Sequence, residues 1–500
     1  MGSTTTQRYH DLQLTNDLAV EAASVAFSAA NYNLALTWLE HARCIVWNQT
    51  LLLRTPFDEL HSSYPSMAER LQKCTVELEK ISVEPRRMAL DPLSPDAADL
   101  EANAHQHRRL AIERDALLSE IRKLPGFEDF LLPKNAVELT RAARNGPVAV
   151  INCSKRHSHA LVIVPGRNDI IPIPLPAFTH ENAELARAKI VVSLRDKGIR
   201  ERGVKIRQEP GQEERFQEVL KMLWNDVVKP ILDSLGYMNS APMDNIPHIT
   251  WCPTGIASFL PFHAAGDYGH PHARVFNYVV SSYTPTLTAL LSASPRCLTS
   301  DSRILGIGQE ATPGYQPLPG IVRELEYIKG HMQNVADYSE LMNDKATRDT
   351  VLEAMEHHDW VHLACHANQD VGDPTKSGFL LHDGRLDLAT ITRRSFKNKG
   401  LAFLSACQTA TGDERLPDEA VHLASGMIIA GYPSVVGTMW SVSDSDAPLV
   451  ADQIYRHIVK IKKVGSGEVG RALHSAVGAL REGIGEKEFI RWVPYIHIGS

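Results

Sequence analysis

The sequence lacks any long hydrophobic run. A membrane-spanning helix needs about 18 or more consecutive apolar residues. The most apolar stretch of this 500-residue chain, Met427 to Trp440, is shorter and contains Pro433. Residues 1–10 are polar, so a secretory signal is not expected either. We therefore predict no membrane association and a cytoplasmic protein, with the nucleus as the alternative location.

Cysteine is sparse, with seven residues scattered along the chain and no CxxC pair. Structural zinc sites use closely spaced pairs of cysteine or histidine, so such a site is not expected. In a reducing compartment the cysteines stay free thiols. The useful question is whether one of them acts as a nucleophile.

A basic excess is also absent, since 52 lysines and arginines stand against 59 acidic residues, for a net charge of −7. Proteins dedicated to nucleic acids usually carry a basic footprint, so no nucleic-acid partner is expected. With 43% apolar and 22% charged residues, the composition is that of a folded globular protein. At about 100–200 residues per domain, the length predicts two to four domains.

Helical periodicity dominates the first 85 residues. Leu18, Ala22 and Val25 recur at helical spacing, and Ser66 followed by Glu69 predicts the start of another helix. Helix–turn–helix units of this kind suggest a repeat array, but no second copy occurs at a fixed period. The segment is either the end of such an array or a helical cap for the region that follows.

The remaining chain changes character twice. Three prolines between residues 83 and 97 indicate a linker, and a charged helix is expected at 98–124. From Pro147 the chain is β-rich, and the charged stretch 193–215 predicts a surface loop. From Arg303 onward short apolar strands alternate regularly with helices. This alternation predicts an α/β fold with a mostly parallel sheet covered by helices on both faces.

Gly306 and Gly308 belong to a Gly-x-Gly-x-x-Ala word that follows a predicted strand. A dinucleotide site would also need a helix that opens at this point. Thr312-Pro313-Gly314 follows instead. We therefore predict a loop here and no dinucleotide cofactor.

His366 and Cys407 are the strongest candidates for chemistry. Each follows an apolar run, VHLAC before His366 and LAFLSA before Cys407. Functional groups in open α/β sheets gather beyond the carboxyl ends of the strands, so neighbouring strands would bring the imidazole near the thiol. A Cys–His pair is the minimum for nucleophilic catalysis, because histidine activates the thiol and later protonates the leaving group. The alternative is a buried structural cysteine beside a core histidine.

Longer sequence words surround this pair: HLACHA, GFLLHDG, LAFLSACQTATGD, LPDEAVHLASG and GYPSVVGTMWSVSD. Together they resemble the CHAT family, caspase-like domains found with TPR helices, in its fungal form. The resemblance is strong over roughly the last 200 residues and weaker through WCPTGIASFLPFHAAG and SSYTPTLTALL. The N-terminal helices resemble the TPR-type segment that usually precedes such domains.

The resemblance implies a cysteine endopeptidase of the caspase–separase kind, with His366 as catalytic base and acid and Cys407 as nucleophile. It also implies a caspase-like sheet in two related halves, of which the first is inactive. We therefore divide the chain into a TPR-like helical segment (1–85), a linker with a connecting helix (86–140), an inactive pseudo-caspase-like half (141–300) and a catalytic half (301–500). This chemistry needs no metal or cofactor. The expected partners are a protein substrate and a regulatory protein bound through the N-terminal helices.

One departure from the family pattern follows the histidine. The family usually has glycine there, whereas this chain has Ala367. The resemblance implies that the backbone N–H groups of Ala367 and Cys407 bind the oxyanion. If that geometry requires a positive φ, alanine is strained. Loss of an oxyanion donor costs roughly 10²–10³ in rate.

Acidic residues in loops near the expected active edge are candidates for a specificity pocket. Separase-like relatives prefer basic residues in the first pocket, and a carboxylate there would select lysine or arginine. Asp413 and Asp444 follow the two expected active-edge strands most closely. The alternative is that these carboxylates are solvated or cap helices.

The sequence therefore predicts a cysteine endopeptidase that uses a Cys407–His366 dyad. The alternative is a catalytically weak scaffold whose caspase-like fold serves protein assembly or signalling, and Ala367 favours it. An open cleft with the two side chains close together would favour the enzyme. A buried Cys407 without a cleft would favour the scaffold.

Overall fold

The computed structural model describes residues 17–43, 58–83, 95–128, 130–196, 212–239, 246–294, 296–370, 376–394, 396–407, 409–410 and 422–500. The chain divides into two compact units, which we call the helical unit (residues 1–16 and 44–134) and the sheet unit (residues 17–43 and 135–500). The boundaries predicted at 85, 140 and 300 remain predictions. In the described part of the chain, no helix is long and apolar enough to cross a membrane.

The strands are, in chain order, β1 (Val148–Cys153), β2 (Ser158–Ile163), β3 (Ile170–Pro174), β4 (His248–Pro253), β5 (Val280–Tyr283), β6 (Arg296–Cys297), β7 (Arg303–Gly308), β8 (Asp337–Met342), β9 (Trp360–Ala364), β10 (His366–Asn368), β11 (Gly378–Leu381), β12 (Gly384–Asp387), β13 (Leu401–Ser405), β14 (Ser434–Thr438), β15 (Lys463–Val464) and β16 (Tyr495–Gly499).

The α-helices are, in chain order, α1 (Leu18–Ser28), α2 (Tyr32–His41), α3 (Asp58–Ser63), α4 (Pro65–Val83), α5 (Pro95–Ile121), α6 (Ala136–Thr140), α7 (His180–Asp196), α8 (Gln212–Leu223), α9 (Lys229–Ser234), α10 (Leu287–Ser292), α11 (Gly320–Met332), α12 (Arg348–His357), α13 (Leu388–Thr392), α14 (Leu423–Ala430), α15 (Ala447–Ile461), α16 (Glu468–Ile484) and α17 (Phe489–Trp492). A π-helical turn, Trp224–Val228, joins α8 to α9.

The helical unit contains α3, α4 and α5, which pack through an apolar cluster. Leu71 of α4 and Leu117 and Ile121 of α5 are fully or almost fully buried in it. The apolar residues of α4 recur at helical spacing, as the sequence predicts. The helix begins at Pro65 rather than after Ser66, so the predicted capping position is wrong. Proline suits the first position of a helix because its missing N–H is not needed there.

An eleven-stranded sheet organises the sheet unit, in the order β3-β2-β1-β4-β5-β16-β14-β13-β9-β7-β8. The pairs β1–β2, β2–β3 and β14–β16 are antiparallel, and the other neighbours are parallel. Most central strands are buried along their whole length, which explains their uninterrupted apolar sequences. The predicted α/β class with a mostly parallel sheet is confirmed.

Strands and helices alternate after Arg303 as predicted, except that β9, β10, β11 and β12 follow one another without a helix between them. The last strand is shorter than predicted, because Trp492 and the three residues before it form α17 and β16 begins only at Tyr495. The loop predicted at 193–215 lies mostly outside the described residues. Its ends are helical, since α7 extends to Asp196 and α8 starts at Gln212.

Gly306 and Gly308 of β7 allow close packing against the strand. A Cβ at Gly308 would lie 2.3 Å from Met342 Sδ and 2.8 Å from Leu325 Cδ1. A Cβ at Gly306 would lie 2.4 Å from the Tyr338 hydroxyl oxygen. The glycines therefore let α11 and the side chains of β8 approach the strand. The stretch after β7 is a loop, as predicted.

The strands fall into two groups, which we call the first half (β1–β5) and the second half (β7–β9, β13, β14 and β16) of the sheet. The groups meet where β5 pairs with β16, and we call this junction the seam. The backbone register there consists of one residue pair, Tyr283 opposite Ile498. Side-chain contacts are therefore expected to add to this single backbone pair in joining β5 to β16.

A chain of buried polar side chains crosses the seam. Ser282 Oγ lies 2.7 Å from His248 Nε2 and 2.6 Å from His497 Nδ1, and His497 Nε2 lies 2.7 Å from Ser434 Oγ. These residues belong to the four adjacent strands β4, β5, β16 and β14. Gly470 of α16 covers the chain so closely that a Cβ would lie 2.7 Å from Ser282 Oγ. Hydrogen bonds thus connect the two halves across the sheet.

Candidate active site

His366 and Cys407 lie at the same level of one sheet edge. β9 and β13 are parallel neighbours, and their register pairs Ala364 with Ser405. His366 stands two residues beyond Ala364, and Cys407 stands two residues beyond Ser405. Equal spacing beyond a paired position places both residues just past the carboxyl ends of neighbouring strands, where α/β folds place their functional groups.

A loop carbonyl orients the His366 ring. His366 Nε2 lies 2.8 Å from the backbone oxygen of Gln316. Because a carbonyl can only accept, Nε2 carries the hydrogen and donates it. In the neutral ring Nδ1 then holds the lone pair and is the atom that can take a proton. The Tyr315 ring lies beside the imidazole, with 5.2 Å between ring centroids. Residues 309–319, between β7 and α11, therefore fix the orientation of the ring.

Thr438 holds the turn that carries Cys407. Its hydroxyl donates to the Ala406 carbonyl oxygen at 2.7 Å, and its N–H donates to Thr409 Oγ1 at 2.8 Å. The N–H of Ala410 donates in turn to the Thr438 carbonyl oxygen. The backbone on both sides of Cys407 is thereby tied to the end of β14. The sequence analysis singled out neither Thr438 nor Gln316. Thr438 binds backbone atoms near Cys407, and Gln316 contributes its own backbone oxygen, so neither side chain forms a recognisable pattern with the candidate residues.

Both candidate side chains are buried. His366 is 1% exposed and Cys407 is 2% exposed. A substrate carbonyl cannot reach a thiol covered to this extent without movement of the surrounding loops. By the criterion set out above, this burial favours the scaffold hypothesis for the form described here.

Ala367 is not strained. It lies in β10 and pairs with Phe379 of β11 in an antiparallel ladder. Among the described residues, the non-glycine positions with positive φ do not include it. An extended backbone is open to alanine and glycine alike. The cost considered for an alanine at positive φ therefore does not arise here.

Asp444 lies against the start of a helix. Its Oδ2 accepts a hydrogen bond of 2.7 Å from the N–H of Gly320, the first residue of α11. A Cβ at Gly320 would lie 2.2 Å from the Asp444 backbone oxygen, so glycine is required for this approach. A carboxylate at a helix N-terminus is favoured by the helix dipole. Asp413, the other predicted pocket residue, lies outside the described residues.

Two further histidines near this edge have structural partners. His362 Nε2 donates to Glu324 Oε1 at 3.0 Å, and both side chains are fully buried. His422 caps α14, since its Nδ1 accepts the N–H of Ser425 at 3.1 Å. Burial lowers the pKa of His422 to about 4, so the ring is neutral at pH 7 and keeps this acceptor. Among the described residues, no three histidine, cysteine or acidic side chains converge in a way that would hold a metal ion.

The fold is similar to that of solved structures. A structure of the separase–securin complex from Saccharomyces cerevisiae matches 94% of this chain and 37% of the compared chain, with 12% identity and a TM-score of 0.51. A structure of the Arg-specific cysteine proteinase gingipain R matches 62% of this chain and 73% of that chain, with 11% identity and a TM-score of 0.38. At such identities the likeness concerns the fold alone, and the match to the separase chain confirms the predicted caspase-like architecture.

Sequence comparison finds a human relative and a family. The general transcription factor 3C polypeptide 3 of Homo sapiens is 28% identical over 160 residues, which are 31% of this chain and 18% of the relative. The chain thus spans less than a fifth of that relative and little more than a third of the separase chain. The model of the CHAT domain matches residues 217–500, more than half of the chain. The protein therefore belongs to the CHAT family.

Proposed function

We propose that the protein is a cysteine endopeptidase with Cys407 as nucleophile and His366 as general base and acid. The observation that supports this most is their common level on the sheet edge, two residues beyond the paired Ala364 and Ser405. The hydrogen bond from His366 Nε2 to Gln316 adds to it, because it leaves Nδ1 as the proton acceptor. The family and the fold are those in which such a dyad is expected.

The proposed reaction uses these atoms in order. Cys407 gives its proton to His366 Nδ1, and its sulfur attacks the peptide carbonyl carbon. The N–H groups of Cys407 and Ala367 hold the oxyanion. His366 then protonates the leaving amine as the C–N bond breaks, which leaves a thioester. A water molecule gives a proton to His366, attacks the thioester and releases the carboxylic acid and the Cys407 thiol.

We further propose that the resting protein is held closed and that a protein partner opens it. The burial of both side chains supports this proposal. The separase in the similar structure is bound to securin, another protein. The partner would bind the N-terminal helices, which we propose to be a TPR-like regulatory segment of a cytoplasmic or nuclear protein. The halves 141–300 and 301–500 are proposed to be the inactive and the catalytic half.

For substrates we propose peptides with lysine or arginine at the cleavage position. Asp444, near the start of α11, and Asp413 are the proposed carboxylates of the first pocket. Asp444→Asn tests this directly, because the amide oxygen can still accept from the Gly320 N–H while the charge is lost. We expect at least tenfold slower reaction with an arginine probe and unchanged unfolding. Equal reaction with arginine probes would show that Asp444 only caps the helix.

The decisive experiment is labelling of the full chain by electrophilic peptide probes that carry lysine, arginine or aspartate. Wild type is compared with Cys407→Ala, His366→Ala and Cys297→Ala. Cys297 is an exposed thiol and controls for unspecific alkylation. Labelling lost in the first two variants and kept in the third would support the peptidase. Labelling that persists in Cys407→Ala would contradict it.

The second candidate function is a scaffold for protein assembly. The observation that favours it is the 1–2% exposure of the two catalytic candidates. If folded wild-type protein stays unlabelled even after partial opening in low denaturant or with cell extract as a source of partners, the scaffold becomes the better proposal. In that case the His366–Gln316 contact stabilises the fold rather than a reaction.

A further inference from the structure

A cavity of about 40 Å³ lies beside the seam, between β5, β16 and α16. One water molecule needs roughly 10–15 Å³ of such space, so the cavity has room for a few atoms of a ligand. Its walls include the apolar side chains of Phe276, Leu473, Val477 and Ile496. Polar groups also reach the cavity, and they differ in the hydrogen bonds that they make within the protein.

One set of polar groups is satisfied within the protein. His263 Nε2 donates to the Val493 carbonyl oxygen at 2.8 Å. His263 Nδ1 then accepts from the Tyr283 hydroxyl, also at 2.8 Å. Burial lowers the pKa of His263 to about 4, which agrees with a neutral ring that donates once and accepts once. These groups need nothing from the cavity.

The other set, Arg481 and His474 of α16, is half-exposed, and none of its nitrogens is a buried atom left without a partner. Among the described residues, neither side chain has a hydrogen-bond or ion-pair partner within the protein. The Arg481 guanidinium carbon lies 3.5 Å from the centroid of the Phe276 ring and 5.3 Å from that of Trp492. Stacking uses the flat face of a guanidinium and leaves its N–H groups, which point outward from the edge, available.

A nearby carboxylate does not fill this role. Burial lowers the pKa of Arg481, and the nearby Glu486 carboxylate acts in the opposite direction. This carboxylate is paired with Arg274, whose Nη2 donates to Oε2 at 2.8 Å and whose Nε lies 2.6 Å from Oε1. His474 precedes Arg481 by two helical turns, so both side chains lie on one face of α16. Burial and the neighbouring arginines lower the pKa of His474 to about 4, and the neutral ring still carries one N–H.

We propose that this cavity is a binding site for a small carboxylate with a short apolar body. The guanidinium edge of Arg481 matches the two oxygens of a carboxylate, and the N–H of His474 supplies a further donor. The apolar walls would contact the hydrocarbon part. A volume of about 40 Å³ excludes a nucleotide or a folded peptide segment. Because the cavity lies at the seam, bound ligand would stabilise the connection between the two halves.

The test is ligand-observed NMR and thermal unfolding of the full chain with propionate. Propionamide serves as the uncharged isostere and inorganic phosphate as another anion. We expect saturable binding of propionate and a rise in Tm with its concentration. Propionamide should bind at least tenfold more weakly. Arg481→Gln should weaken propionate binding at least tenfold, whereas the matched surface variant Lys460→Gln should leave it unchanged.

His474→Asn keeps the stacking of Arg481 and should weaken binding about threefold or more, so a failure of Arg481→Gln to fold does not decide the question. No saturable binding to wild type would overturn the proposal. Equal binding by propionamide, tighter binding of phosphate, or unchanged affinity in both variants would overturn it as well. The result does not depend on peptidase activity.

Discussion

The N-terminal helices α1 and α2 contact the carboxyl edge of the first half of the sheet, whereas the same edge of the second half carries His366 and Cys407. In the first half Asn152 donates to the Val20 carbonyl oxygen of α1 at 2.9 Å, and Thr254 donates to Asn152 at the same distance. Arg43, which follows α2, donates to Cys252 Sγ at 3.3 Å and to the Pro253 carbonyl oxygen at 2.7 Å.

The two halves differ in the partners of the polar side chains at this edge. In the first half the polar groups at the edge bind helix backbone or one another, and the cysteine there accepts a guanidinium hydrogen bond. In the second half one ring nitrogen of His366 donates to the Gln316 carbonyl oxygen. The same sheet edge therefore binds helices in one half and carries the two proposed catalytic residues in the other.

Of the substitutions considered, we expect the largest loss of stability in the second half of the sheet from a change at Glu324. Removing one partner of a buried pair leaves the other uncompensated, which costs about 3–5 kcal/mol. We expect Glu324→Ala to lower the free energy of unfolding by this amount, since Glu324 and His362 are both fully buried. Chemical denaturation of the full chain measures it. Glu353→Ala, an exposed position, is the control, and equal losses in the two variants would contradict the prediction.

The seam can be weakened by acid. Burial lowers the pKa of His248 to about 4 and that of His497 to about 3, against about 6.5 in an unfolded chain. Between pH 6.5 and 4 the unfolded chain therefore binds more protons, and stability falls as the pH falls through this window. At pH 5.5 each histidine contributes a loss of about 1–2 kcal/mol relative to pH 7.5.

Denaturation curves at pH 7.5 and 5.5 measure this loss. His497→Gln should lower stability at pH 7.5 but reduce its dependence on pH. Stability that is unchanged or higher at pH 5.5 would show that the seam histidines are protonated in the folded protein.

The edge of the first half can be opened at Arg43. Arg43→Met keeps the apolar stem but removes the guanidinium hydrogen bond to the Pro253 carbonyl oxygen, which still accepts from Ser258 Oγ at 3.1 Å. Loss of a hydrogen bond to a charged group costs about 1.5–3 kcal/mol. We expect faster hydrogen exchange in residues 18–41 and unchanged probe labelling of Cys407. Arg141→Met, at an exposed position, controls for loss of charge. Protected amides in 18–41 of the variant would mean that the helices do not depend on Arg43.

The smallest effect is expected at Ala367. Because Ala367 lies in an extended strand, Ala367→Gly gains no conformational freedom that the site requires. We expect probe labelling rates within about threefold of wild type, which corresponds to roughly 0.6 kcal/mol or less. An increase of tenfold or more would show that the reactive form needs a positive φ at this position.

Much of the sheet was predictable because strands buried on both faces, such as Val148–Cys153 and Leu401–Ser405, have uninterrupted apolar sequences. The edge positions of His366 and Cys407 followed from the same runs. Gln316 was not predictable, since it contributes a backbone oxygen that no residue type reveals. Arg43 and Cys252 are 209 residues apart, a distance at which local periodicity gives no information. The start of β16 was placed too early because the apolar residues of α17 resemble a strand.

The seam has a consequence for how the chain folds. Ser282 and His497, which meet there, are 215 residues apart, and one backbone pair joins their strands. Contacts between residues so far apart in sequence stabilise the chain only after the entropy cost of closing a large loop has been met. The two halves can each collapse on local contacts first, and the sheet becomes continuous only when β16 enters between β5 and β14. Folding of the sheet unit should therefore show a slow phase whose rate follows the docking of residues 495–499.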